Sequence, residues 1–169
     1  MMKAVVVVPG WALGAPNQLG SSKYIERIMS TRVRPHKRDS EQIYLTCDAI
    51  LDGSVPYRQW FDPCPHPRPP DYDGLAIPWE AQTFVNPPWG NVKPWIIKAI
   101  HKSQAGKVVH MLLPAGPSAH WFHDLCVPFA RSIEFCRGPV PFLRVRDGSR
   151  VALPAMIVKF EGPQAASAR

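Results

Sequence analysis

Short apolar runs separated by loops rich in proline and glycine divide this chain into small predicted elements. Apolar, mostly β-branched or aromatic runs predict strands at 3–8, 58–62, 83–86, 107–113 and 132–135. Helical spacing and capping residues predict helices at 23–30, 46–51, 92–103 and 118–129. Two further runs, 140–146 and 151–160, flank Asp147-Gly148-Ser149 and predict a hairpin.

The order of these elements predicts the fold class. Strand, helix, strand, helix and strand alternate between 83 and 135, which is typical of a parallel sheet covered by helices. We therefore expect an α/β fold with a mostly parallel sheet, closed by a C-terminal antiparallel hairpin. Ligands bind such sheets beyond the carboxyl ends of the strands. Asp62, Asp73 and Asn86 stand at or just past predicted strand ends and are therefore candidate site residues.

The length of 169 residues indicates one domain with a sizeable core. We interpret 41–162 as this domain and 163–169 as a flexible tail. Residues 1–40 contain a strand, a loop and a basic linker. They either belong to the domain or extend it.

The net charge of +7 favours a polyanionic partner, although a basic surface also serves solubility. The distribution of the charge favours a nucleic acid, because two basic clusters fall in a predicted linker and in the predicted hairpin. The clusters are formed by Arg32, Arg34, Lys37 and Arg38, and by Arg144, Arg146 and Arg150. Either cluster is placed to contact phosphates.

The four cysteines show no C-x-x-C spacing. This pattern favours a reduced, cytoplasmic protein without bound metal. The valine run near the N-terminus is too short for the core of a signal peptide, and no apolar stretch approaches membrane-spanning length. We therefore expect no membrane contact.

The segment Phe84-Val85-Asn86-Pro87-Pro88-Trp89-Gly90 carries the most specific chemistry. Proline donates no hydrogen bond and fixes its own backbone, so this loop is stiff and its carbonyls can only accept. The Asn86 side-chain oxygen and the Pro87 carbonyl suit the two N–H bonds of an exocyclic amine, and Trp89 suits stacking on a planar base. The segment predicts a pocket that presents an amino group to a methyl donor. The alternative is a structural Pro-Pro turn after a strand.

Other segments appear in a recognisable order around this loop. Tyr44-Leu45-Thr46 and Trp60-Phe61-Asp62-Pro63-Cys64-Pro65 precede it, as does Asp73-Gly74-Leu75. The strand ending in Leu112-Leu113-Pro114-Ala115 follows it. From about Tyr44 to Phe160, the chain resembles the phage-type DNA adenine methyltransferase family, often called the phage Dam family.

The resemblance implies a compact, Rossmann-like class I methyltransferase fold. It also implies methylation of the exocyclic amino group of adenine in double-stranded DNA, with S-adenosylmethionine as cofactor and the base flipped out of the duplex. Asn86, Pro87, Pro88 and Trp89 would form the catalytic loop. The expected setting is the cytoplasm of a bacterium that carries the phage or prophage. The sequence carries no indication of oligomeric state.

The resemblance also implies a set of cofactor-binding residues: Tyr44, Thr46, Asp62, Pro63, Cys64 and Asp73. Each has a structural alternative. Asp62 and Asp73 suit ordinary turns, Thr46 suits the cap of the following helix, and Tyr44 suits the core.

Three positions depart from the family pattern. Cys47 follows Thr46 where the family has proline, Pro65 replaces a small residue, and Pro139 stands where an arginine is expected. Two alternative functions therefore stay open. One is a methyltransferase of the same fold acting on guanine in RNA or on a protein glutamine. The other is a DNA-binding relative that has lost catalysis.

Overall fold

The computed structural model describes residues 44–162 and, for the backbone alone, Val5–Val7. Within these residues the strands are β1 (Val5–Val7), β2 (Tyr44–Leu45), β3 (Gln82–Val85), β4 (Val108–Pro114), β5 (Ser132–Phe135), β6 (Val140–Arg144), β7 (Arg150–Leu153) and β8 (Ala155–Glu161). The α-helices are α1 (Asp48–Leu51), α2 (Lys93–Gln104) and α3 (Val127–Phe129). Single 3-10 turns lie at Tyr57–Gln59 and Trp89–Asn91. No described helix is long and apolar enough to cross a membrane.

The strands form a five-stranded sheet in the order β1-β5-β8-β4-β3 and a three-stranded sheet in the order β2-β6-β7. Only β3 and β4 pair in parallel among these strands, and every other pairing is antiparallel. The prediction of a mostly parallel, Rossmann-like sheet is therefore wrong.

Two features explain the difference. A parallel pair needs a crossover connection, and α2 supplies one between β3 and β4. The next helical connection leads from β4 to β5, but β8 lies between these two strands and pairs antiparallel with both. The strand predicted at 58–62 is also absent, because a 3-10 turn replaces its first half and only Phe61 bridges to Thr83.

The predicted hairpin divides between the two sheets. β6 and β7 pair antiparallel around the turn 145–149, where Gly148 has a φ of 68°. β7 then ends at Leu153, and the following strand β8 returns to the large sheet. Pro154 stands between the two strands, and its missing N–H suits the break in the ladder.

Alternation along the central strand β4 assigns its side chains to two separate apolar layers. Val109, Met111 and Leu113 face the layer covered by α2 and the helical segment at 120–129. Leu112 faces the other layer, which packs against α1 and the small sheet. Burying an aliphatic side chain of this size contributes about 1.5–3 kcal/mol, so both layers stabilise the domain.

Helix α2 matches its prediction closely. Pro94 occupies its first turn, where a missing N–H costs nothing, and Gly106 follows its end with a φ of 82°. The helix predicted at 118–129 differs, because Phe122–Cys126 is π-helical and α3 covers only the final turn. Pro128 lacks the N–H that an α-helix would direct to the Asp124 carbonyl, which accounts for local departure from the α-helical pattern.

Candidate functional site

The candidate site lies at the edge of the large sheet where β3 and β4 end. The Phe61 amide donates to the Gln82 carbonyl at 3.1 Å, and the Phe84 amide donates to the Phe61 carbonyl at 3.0 Å. Phe61 therefore runs parallel to β3, so the chain leaves it towards the same edge as Asn86. Asp62 thus follows a strand-like residue at the edge where Asn86 follows β3.

The side chain of Asn86 is fixed by two bonds from its amide nitrogen. Nδ2 donates to the Tyr44 carbonyl at 2.9 Å and to the Thr46 hydroxyl at 3.0 Å. A carbonyl can only accept, so the bond to Tyr44 determines which end of the amide is the nitrogen. The other end, Oδ1, is buried and has no hydrogen-bond partner within the described part of the chain. Asn86 thus holds an oriented acceptor at the edge of the sheet.

The prolines after Asn86 shape the loop. Pro87 and Pro88 are buried, and neither has an N–H. The Pro88 carbonyl accepts from the Asn91 amide at 3.1 Å, which closes the 3-10 turn Trp89–Asn91. The turn directs Trp89 back towards the small sheet.

Three aromatic rings from different segments meet beside this loop. The ring centroid of Trp89 lies 5.5 Å from that of Tyr44 and 5.1 Å from that of Phe142 in an edge-to-face contact. Tyr44 and Phe142 also meet each other, at 5.9 Å. Sequence reasoning missed Phe142. Its signal was alternation in β6, where Val140 and Phe142 are buried and Pro141 and Leu143 are exposed.

Two acidic loops lie beside each other at the same edge. Asp62 Oδ1 accepts from the Cys64 amide at 2.7 Å, and Asp73 Oδ1 accepts from the Leu75 amide at 2.9 Å. Each aspartate therefore forms the turn that was its structural alternative, using one carboxylate oxygen. The loops pack so tightly that a Cβ on Gly74 would lie 1.9 Å from the Pro63 carbonyl oxygen.

Lys98 and Trp79 hold the second of these loops in place. The Lys98 ammonium donates to the Leu75 carbonyl at 2.8 Å and to the Ile77 carbonyl at 2.5 Å. The Trp79 indole donates to the Gly74 carbonyl at 2.8 Å. Burial lowers the pKa of Lys98, because removing its charge from water is costly. Lys98 thus fixes the loop from α2.

The electrostatics of the first loop are unusual. Asp62 keeps contact with solvent, yet protein surrounds its carboxyl on most sides, and this desolvation raises its pKa to about 6. The Cys64 amide opposes the shift by bonding to the ionised form. Burial raises the pKa of the neighbouring Cys64 thiol, and the charge of Asp62 adds to that shift. A carboxylate in a recess of this kind suits a cationic ligand.

A buried polar chain lies behind the site. The Tyr57 hydroxyl is 2.9 Å from His110 Nδ1, and His110 Nε2 is 3.0 Å from Glu161 Oε1. Burial lowers the pKa of His110, although its bond to Glu161 acts in the opposite direction. Burial also raises the pKa of Tyr57. The neutral imidazole therefore accepts from Tyr57 and donates to Glu161, which joins the 3-10 turn to β4 and β8.

The structure brings most of the predicted site residues into two groups. Tyr44, Thr46 and Trp89 surround Asn86, while Pro63, Cys64 and Asp73 surround Asp62. Thr46 does not cap α1 with its side chain, because the N-cap residue is Cys47 and its hydroxyl bonds to Asn86. No cluster of His, Cys, Asp or Glu suited to a metal ion occurs within residues 44–162.

The basic residues divide differently. Arg144 pairs with Asp147 across the hairpin turn at 3.6 Å, while Arg146 and Arg150 are exposed. The other predicted cluster lies outside the described residues: Arg32, Arg34, Lys37 and Arg38.

Comparison with known proteins decides the family. Residues 63–158 match the family model described as DNA N-6-adenine-methyltransferase (Dam), which is more than half of the chain. The chain belongs to the Dam family. The matched region includes the Asn86–Trp89 loop, Asp73 and Phe142.

A relative in the Dam family comes from a phage. The chain is 33% identical over 98 residues to a DNA N-6-adenine-methyltransferase of Haemophilus phage HP1 (strain HP1c1). The match covers 54% of this chain and 56% of that protein, so the chain spans about half the length of this relative. No solved structure matches this chain.

Proposed function

We propose that this protein transfers a methyl group from S-adenosylmethionine to the exocyclic amino group of adenine in double-stranded DNA. The observation that carries the proposal is the orientation of Asn86. Its Nδ2 is held by Tyr44 and Thr46, so that its buried oxygen Oδ1 is an acceptor with no partner in the described chain. An amino group is the donor that such an acceptor requires. Membership of the Dam family supports adenine in DNA as its source.

The loop around Asn86 would hold the amino group in the orientation that transfer needs. The Asn86 oxygen accepts one N–H of the amine and the Pro87 carbonyl accepts the other. Both bonds draw the nitrogen lone pair away from the ring and towards the methyl group. The rate gain comes mainly from positioning and from fixed dipoles. Trp89, held by Tyr44 and Phe142, would stack on the flipped base.

The acidic loops suit the cofactor chemically. S-adenosylmethionine supplies an electrophilic methyl group on a sulfonium, and it also carries an ammonium and several N–H and O–H donors. Asp62 lies in a partly enclosed recess and suits a cationic partner, while Asp73 suits a donor such as the cofactor's own amino group. Pro63 and Cys64 shape the recess between them.

The polyanionic partner would be bound by the basic residues. Exposed Arg146 and Arg150 on the hairpin suit phosphate contacts, and so does the basic segment before Tyr44 by its composition. These contacts position DNA and carry no sequence information by themselves.

The test is methyl transfer from labelled S-adenosylmethionine to unmodified DNA of diverse sequence, followed by nucleoside mass spectrometry. We expect the label in N6-methyladenine. Asn86→Ala is expected to lose about 100-fold in kcat, because one positioned acceptor in a dry site is worth about 3 kcal/mol. Asn91→Ala, in the turn of the same loop, is the matched control and should keep most of the activity.

Two outcomes contradict the proposal. Label in RNA or protein but not in DNA would assign the same loop to another acceptor. No label in any acceptor, together with cofactor affinity weaker than the millimolar range, would indicate a DNA-binding relative without catalysis.

A further inference from the structure

The loop that follows β3 contains two buried polar atoms of opposite character. Asn86 Oδ1 is an acceptor and Trp89 Nε1 is a donor, and neither has a hydrogen-bond partner among residues 44–162. Pro87 and Pro88, which separate them, offer no N–H to satisfy the acceptor. Unpaired buried polar atoms are costly and uncommon, so a pair of them within four residues indicates a place that receives a polar ligand.

The packing around Trp89 holds its donor in place. The Tyr44 ring lies 5.5 Å from the Trp89 ring with the planes inclined at 55°, and the Phe142 ring meets it edge-to-face at 5.1 Å. Both neighbours come from β strands, so they restrict rotation of the indole. The indole N–H is therefore a fixed donor next to a fixed acceptor.

We propose that Trp89 Nε1 donates a hydrogen bond to the ring nitrogen beside the amino group of the target adenine. This inference rests on the proposed function and gives Trp89 a specificity role in addition to stacking. Adenine carries an acceptor nitrogen on each side of its amino group, N1 on the Watson–Crick edge and N7 on the other. The amino group meets Asn86 Oδ1, and one of these nitrogens meets the indole N–H.

The pair of atoms discriminates against two bases. Guanine and thymine present a carbonyl oxygen where adenine has its amino group, and that oxygen would face the Asn86 oxygen. Leaving both acceptors unpaired in a buried site is the kind of mismatch that proteins reject strongly. Cytosine shares the amino group and an adjacent acceptor, so the contact separates amino bases from oxo bases.

The experiment replaces the target adenine in a duplex that carries the mapped methylation site. One duplex contains 1-deazaadenine and a second contains 7-deazaadenine, each of which lacks one candidate acceptor. Wild-type protein is expected to lose about tenfold in kcat/KM with one analogue and much less with the other. The analogue that loses identifies the nitrogen.

Trp89→Phe keeps an aromatic ring and removes the donor. It should lose about as much on adenine as wild type loses on the sensitive analogue, and it should no longer distinguish the two substrates. Trp60→Phe is the matched control, because Trp60 packs on His110 at 4.8 Å and is not part of the loop. It should keep the wild-type discrimination.

Two results overturn the contact. Equal kcat/KM of wild type on adenine and on both analogues would exclude a bond to either nitrogen, and this comparison needs no variant to fold. Full discrimination by Trp89→Phe would assign it to another residue. Duplex affinity with S-adenosylhomocysteine separates this inference from the proposed function. Discrimination in binding without transfer by wild type overturns the reaction alone, while transfer without discrimination overturns the contact alone.

Discussion

The hydroxyl of Thr46 lies 3.0 Å from Nδ2 of Asn86 and joins the strand end of β3 to a segment 40 residues earlier in the chain. Together with the Tyr44 carbonyl, it determines which atom of the Asn86 amide faces the candidate site. Thr46 is therefore a positioning residue for Asn86. The family resemblance implied a direct contact with the cofactor instead, and the two roles predict different kinetics.

Thr46→Val keeps the shape of the side chain and removes the acceptor. We expect kcat to fall by up to about tenfold, because one hydrogen bond is worth about 0.5–1.5 kcal/mol, while KM for the cofactor stays unchanged. Thr46→Ser keeps the hydroxyl and should retain activity. A raised cofactor KM with unchanged kcat would instead assign Thr46 to the cofactor.

Asp62 predicts a dependence of stability on pH. Its pKa rises from 3.8 to about 6 in the folded protein, so between these values the folded state binds more protons than the unfolded state. The free energy of unfolding should therefore fall as pH rises through this window. Urea denaturation across the window should show this slope in the wild type and a weaker one in Asp62→Asn. Asp71→Asn, an exposed aspartate nearby, is the control, and equal slopes in all three proteins would contradict the assignment.

The same carboxyl should make cofactor affinity pH-dependent. An ionised Asp62 attracts a cationic ligand, so affinity for S-adenosylmethionine should increase as pH rises through about 6. Calorimetric titration of wild type and Asp62→Asn measures this directly. Unchanged affinity and unchanged pH profile in the variant would leave Asp62 as a turn residue only.

Gly74→Ala should separate the two acidic loops. The added Cβ would lie 1.9 Å from the Pro63 carbonyl oxygen and 2.9 Å from the Trp95 ring, so the backbone must move. We expect a lower melting temperature and at least tenfold weaker cofactor binding, since both loops shift. Gly116→Ala is the matched control, because its Cβ meets neighbours at an ordinary 3.7 Å. Cofactor affinity equal in the two variants would show that the close packing of the loops does not serve binding.

Tyr57→Phe tests the buried chain behind the site. It removes the hydroxyl that donates to His110 Nδ1 and retains the ring that stacks on Phe84 at 4.2 Å. The loss of this buried bond should lower the free energy of unfolding by about 1 kcal/mol. Tyr72→Phe, in a more exposed loop, controls for the loss of a hydroxyl. Equal stability of both variants would argue against a structural role for the bond.

The salt dependence of DNA binding should identify the arginines that touch phosphates. Each phosphate contact contributes about −0.9 to the slope of log affinity against log salt. Replacing exposed Arg146 and Arg150 by Glu should therefore make the slope shallower by about two if both bind phosphate. The same change at Arg34 and Arg38 tests the linker. The variant that keeps the wild-type slope excludes its own segment from the phosphate contacts.

Local signals explain the parts of the fold that the sequence predicted well. An apolar run followed by two prolines must end its ladder, and β3 ends at Val85 directly before Asn86. Helix α2 begins near Pro94 and ends before Gly106, because both residues act on their own turn of backbone. Asp62 and Asp73 were likewise predicted at one edge because each follows a short apolar segment.

Tertiary structure decided the rest, because it depends on partners that are distant in the chain. The insertion of β8 between β4 and β5 is a non-local pairing that no periodicity encodes, and it overturned the mostly parallel sheet. Phe142 meets Trp89 only through the folding of the small sheet against β3. The sequence by itself determined that Asn86 stands on a stiff loop without donors. Only the tertiary structure bound its amide nitrogen to Tyr44 and Thr46, because a hydrogen bond depends on distance in space and not on separation along the chain.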